Sequence, residues 1–287
     1  MQKKGQITIF IILGIVLIVV SGIFFYINKS SAESESAVSV AKSSDSTDSD
    51  IVQTYAEACL KMVTEEALFN KIGLQGGYIN PVNVPSEGIT YSRGGVSNDV
   101  PYYIQGASTN YPTLEDINGD LKTYVEDEFE NCFQISVFED ISLNILRTNE
   151  EINADVSLNE EDVSVVLNYP LTIKKENTET KLGLFSVILP IRLKALYESA
   201  KIMVDRIKTA QNTPLNTPPN TYNISFDCSD YNKNGITNVY NKPGSDTATR
   251  IIQFMDFSTY YDHYFNSYIF QFAVKNVNVV GKCSPPS

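Results

Sequence analysis

Residues 7–27 read ITIFIILGIVLIVVSGIFFYI, a run of 21 residues in which sixteen are Ile, Leu, Val or Phe and none is charged. As a helix rising 1.5 Å per residue, such a run reaches roughly 31 Å, close to the thickness of a bilayer's hydrocarbon core. On insertion scales its apolar side chains supply roughly −5 to −10 kcal/mol before the smaller opposing contributions of Thr8, Gly14, Ser21 and Gly22. Lys3 and Lys4 precede the run, and Tyr26, Asn28 and Lys29 end it. Lysine bias then predicts a cytoplasmic N-terminus with the rest of the chain outside. The first expectation is a single-pass cell-membrane protein with an extracytoplasmic C-terminal domain and the lipid bilayer as a partner. A cleaved secretory signal is the alternative, with Ser30 and Ala32 imitating a cut site, but such signals use an apolar run of only roughly 7 to 15 residues.

The start of the chain, Lys3-Lys4-Gly5-Gln6-Ile7-Thr8-Ile9-Phe10, resembles the class III signal peptide of archaeal type IV pilin-like proteins. That resemblance implies processing between Gly5 and Gln6 by a prepilin-type peptidase, with the helix retained and a route to assembly with copies of itself or with other envelope proteins. It departs from the pattern at Phe10, where that family usually carries Glu. The wider chain, including CLKMVTEEALFNKIGLQGGY at residues 59–78, is similar to uncharacterised single-span proteins of archaea.

All 34 Asp and Glu follow residue 29, where they face 19 Lys and Arg. An acidic field of that kind repels phosphate backbones and argues against nucleic-acid binding. The four cysteines, Cys59, Cys132, Cys228 and Cys283, also follow the apolar run, and an even number outside the cytoplasm permits two disulfides. Three pairings exist; sequence order favours Cys59 with Cys132 and Cys228 with Cys283. A four-thiolate metal site competes, although it usually needs cysteines two to four residues apart.

The patterning predicts an α+β fold: one N-terminal transmembrane helix, a flexible linker, and an extracytoplasmic antiparallel sheet with packed helices. Residues 1–6 form a basic leader, 7–27 the span, and 28–49 a Ser/Asp/Glu-rich tether that cannot bury apolar area. Residues 50–208 form the main domain, 209–220 a Pro/Asn/Thr-rich connector, and 221–287 a small β-rich part. Within the main domain Val52, Tyr55, Cys59, Met62 and Val63 recur at helical spacing, and Gly73 with Gly76-Gly77 stops that helix. Thr113 three residues before Asp116 signals a capped second helix, and the stripe from Leu193 to Ile207 a third. Period-two runs at 138–146, 152–158, 163–169, 171–175 and 182–189 read as an antiparallel meander, and 222–227, 236–240, 251–255 and 268–280 as further strands. Residues 78–112, with five tyrosines and four prolines, read as an irregular surface excursion.

Candidate sites are sparse. Tyr102 and Tyr103 in that excursion could stack a glycan or peptide, or simply pack the loop. Asp230, Asn232 and Asn234, followed by Gly235, match the first half of a calcium loop, but the twelfth position is Asn241, and an Asn-Gly hairpin turn explains the same residues. His263 is the only histidine, and Asn223-Ile-Ser225 matches a glycosylation acceptor. No hydrolase elbow, paired-histidine motif or phosphate-binding loop occurs, so no cofactor is implied and the chain reads as a non-enzyme. The function expected is a membrane-anchored cell-surface structural or adhesion protein, pilin-like if it assembles. A membrane-tethered receptor or solute-binding module is the alternative, and an extracytoplasmic enzyme the third.

Overall fold

The Thr113 to Phe129 pattern shows how locally the chain encodes its helices. Ile117, Leu121, Val125 and Phe129 recur every four residues and form one buried stripe, while the Thr113 hydroxyl caps the first turn. The computed structural model describes residues 46–80, 88–93, 96–105, 108–211, 222–225, 238–243, 249–261, 266–275 and 277–280. The chain divides into two compact units, Met1–Ser46 and Thr47–Ser287, and the contacts that follow lie within the second.

Three helices are described: α1 (Ser46–Glu66), α2 (Leu114–Cys132) and α3 (Leu193–Gln211). In chain order the strands are β1 (Gly88–Arg93), β2 (Val96–Gln105), β3 (Ser108–Thr109), β4 (Asn144–Arg147), β5 (Asn153–Leu158), β6 (Val163–Lys175), β7 (Thr178–Leu189), β8 (Tyr222–Ser225), β9 (Asn238–Pro243), β10 (Thr249–Tyr261), β11 (Asn266–Lys275) and β12 (Val277–Val280). α1 runs into a π-helical turn at Ala67–Ile72. Ala67, Leu68 and Phe69 in this turn are all buried. Gly73 then lies so close to β11 that a Cβ would overlap the Ile269 carbonyl oxygen. That approach lets Gly73 O accept from Gln271 N at 2.9 Å and Leu74 O accept from the Gln271 side-chain amide at 2.8 Å. Gly77, at φ +87°, completes the exit in backbone space closed to most side chains.

The first sheet has the order β1-β2-β11-β10-β9, with β3 also paired to β2. β2 and β11 are parallel neighbours, with Tyr102 opposite Ala273 and Ile104 opposite Val274. The extra residue on β2 is a bulge that turns both Tyr103 and Ile104 toward the main core. In the second sheet β6 is central. β4 and β5 pair with successive halves of one edge, and β7 pairs along the other. β8 and β12 form a separate parallel pair. One apolar cluster joins α1, α2, α3 and the inner faces of both large sheets.

Several expectations are corrected. The described structure is α+β with mixed sheets, because β2–β11 and β8–β12 are parallel, where an antiparallel sheet was expected. No helix of the described residues is long and apolar enough to cross a membrane. That finding corrects the single-pass architecture, the cell-membrane localisation and the lipid bilayer as partner; residues 7–27, the basis of that expectation, lie outside the described residues. The excursion at 78–112 contains β1, β2 and β3, and Arg93 pairs directly with Val96. The intervening Gly94-Gly95 is the sequence signal for such a hairpin. Residues 135–141 form a 3₁₀ turn, so the strand expected over 138–146 begins only at Asn144. The two runs separated by Pro170 form one strand, since the irregularity between Asn168 and Leu171 accommodates the proline.

Candidate functional site

β7 has an alternating pattern with apolar residues on both faces. Phe185 and Leu189 point into the core with Val163, Val165 and Leu167 of β6. On the outer face Leu184 is 58% exposed and Ile188 66%, and Val166 of β6, at 41%, lies diagonally between them. The register sets Val166 opposite Ser186 and Asp155, Ser164 opposite Ile188 and Ser157, and Asn168 opposite Leu184 and Asn153. Leu146 of β4, opposite Thr172, extends the same face. The result is a patch of isolated aliphatic side chains among short hydroxyls, amides and the Asp155 carboxylate, a composition suited to contact with another polypeptide.

The same strand is an edge: among the described strands β7 pairs only with β6. Native edges are usually blunted by lysine, proline or short length. Here residues 182–190, LGLFSVILP, carry no charge. Ion pairs stand at both ends of the hairpin instead. Lys174 pairs with Glu179 and Lys175 with Asp48 beside the β6–β7 turn, and Lys194 pairs with Glu160 at the far end. The Gln53 amide of α1 donates to Leu184 O at 3.4 Å, so the polar backbone groups of residue 184 face the edge away from β6, where this carbonyl already has a partner in the chain. Those of 186 and 188 do the same by strand alternation.

Tyr102 and Tyr103, expected as a ligand surface, are both buried and lie on opposite faces of the first sheet. The Tyr103 ring stacks on Phe272 at 4.4 Å and its hydroxyl donates to Gly76 O at 2.8 Å. Tyr102 packs with Val100, Ile251 and Ala273, with its hydroxyl 2.9 Å from Thr249 Oγ1. Neither ring is free to stack on a ligand. Burial pushes the Tyr103 phenol well above its ordinary pKa. Tyr78 is pushed up to about 12, by burial and then by Asp116 and Asp120. Tyr197 is pushed up to about 12, by burial and then by Tyr111 and Glu115, and its hydroxyl donates to Pro112 O at 2.8 Å. These phenols remain neutral at ordinary pH, and those of Tyr103 and Tyr197 serve as backbone hydrogen-bond donors.

Two carboxylates one turn apart on α2 are shifted in opposite directions. The Thr113 backbone N–H and hydroxyl hold Asp116 below its ordinary 3.8. Burial and then the Asp116 charge raise Asp120. The first shift belongs to the capping box, in which the Thr113 side chain accepts from Asp116 N at 3.1 Å and the Asp116 carboxylate accepts from Thr113 N at 2.9 Å. Thr113→Ala is expected to lower unfolding free energy by about 1 kcal/mol at neutral pH. Because the folded-state pKa of Asp116 is depressed, its contribution is present above about 3.8 and fades as pH falls through the lowered value. Urea titrations at pH 7 and pH 3 should therefore show the gap between wild type and variant narrowing in acid; a gap that widens would exclude this role for the cap. Asp116 is exposed, so the pH-dependent part is small.

Cys59 and Cys132 are joined, with Cα atoms 5.6 Å apart, tying α1 to the end of α2. Asn223 lies in β8, opposite Asn278. Gly5, Gln6, Cys228, Cys283, His263 and the candidate calcium residues Asp230, Asn232 and Asn234 lie outside the described residues. Among the described residues no group of three or more His, Cys, Asp or Glu is placed to hold a metal ion. The exposed face of β7 went unrecognised in the sequence, although Val187-Ile188-Leu189 breaks the polar alternation of a half-buried strand and could have marked it.

The chain matches no family model, no curated protein and no solved structure. The resemblance to archaeal pilin-like signal peptides and single-span proteins is therefore corrected: no matched family supports it, and the prepilin-type peptidase and envelope assembly that it implied are withdrawn with it.

Proposed function

We propose that Thr47–Ser287 is a non-enzymatic binding domain that takes an extended protein segment along the open edge of β7. The observation that carries this reading is the uncharged edge at residues 182–190, which joins backbone groups facing outward to the exposed side chains of Leu184, Ile188 and Val166. Strand addition uses both: main-chain hydrogen bonds supply affinity, and alternate side chains select the partner. Capping and burial account for the opposing shifts of Asp116 and Asp120, and packing for the raised tyrosine values, which supports the non-enzymatic reading.

Amide hydrogen exchange tests this reading. In native extracts, where any partner is present, the amides of Ser186 and Ile188 are expected to exchange slowly. In the purified chain at high dilution they should exchange as fast as other unpaired edge amides. Equally fast exchange in both samples would refute a binding role for this edge.

A further inference from the structure

We draw no further inference here: the strongest candidate, the face at the start of α2 where Asp116 and Asp120 stand beside half-buried Tyr78, is an acidic cluster at a helix N-terminus, and nothing among the described residues shows what it would bind.

Discussion

Arg192→Met is expected to lower unfolding free energy by about 3–5 kcal/mol, among the largest effects of any single substitution in this domain. Arg192 stands immediately before α3, and Asp256 lies on the inner face of β10. The guanidinium donates through Nε to Asp256 Oδ2 at 2.9 Å and through a terminal nitrogen to Oδ1 at 2.5 Å. The Asp256 side chain is only 2% exposed and that of Arg192 11%. The hydrogen bonds that the guanidinium donates to Asp256 hold the Arg192 pKa above its ordinary value. Methionine keeps much of the stem's packing and removes the two charged hydrogen bonds from a carboxylate that stays buried. The cost comes from that buried charge more than from the worth of the pair. Arg192→Met/Asp256→Leu should accordingly recover most of the loss, since well-packed apolar replacements of buried pairs are often neutral or better. Chemical denaturation of the two single variants and the double variant gives the coupling directly. A loss below about 1 kcal/mol for Arg192→Met would mean that water reaches Asp256 and that the pair behaves as a surface bridge.

What could be read from sequence was what the chain encodes over a few residues. Thr113 and Asp116 announce α2 because both halves of the capping box lie within one turn, and the stripe from Leu193 to Ile207 marks α3 because its period is local. Phe69 and Ile72 illustrate the opposite case. Their helix visibly stops before Gly76-Gly77, but the π turn at its end packs on β11 through Phe69 and Tyr268, nearly two hundred residues apart in sequence. The parallel pairing of Tyr102 with Ala273 is equally remote, which is why tyrosines in a proline-rich stretch read as an open loop although they belong to a core sheet. Leu184 and Ile188 were legible as strand residues. Whether another element covers their face is a tertiary fact, and that fact makes β7 the candidate surface.

Removing the bond between Cys59 and Cys132 should be nearly as damaging as stranding Asp256, by a different physical route. The two cysteines are 73 residues apart in sequence, and closing a loop of that length restricts the unfolded chain by about 4 kcal/mol in the chain-entropy model. The loop contains β1, β2 and β3 together with nearly all of α2, so the cross-link limits how far the first sheet's edge can separate from the helices when the domain opens. In the folded state the bond is surrounded by aromatic packing that does not depend on it. The Tyr55 hydroxyl donates to Cys132 O at 3.2 Å, Tyr55 meets Phe138 edge-on at 5.3 Å, and Phe133 meets Tyr169 at 5.8 Å. Cys59→Ala/Cys132→Ala should therefore retain the native fold while losing about 4 kcal/mol, within the 2–5 kcal/mol usual for native disulfides. It should also unfold with a steeper denaturant dependence, because an uncross-linked unfolded chain exposes more surface. Adding reductant should bring the wild-type midpoint down toward that of the variant. Cys228 and Cys283 are present in both proteins, so the difference between their responses to reductant isolates this one bond. Equal midpoints for the oxidised wild type and the variant would show that the aromatic cluster alone holds α1 against α2.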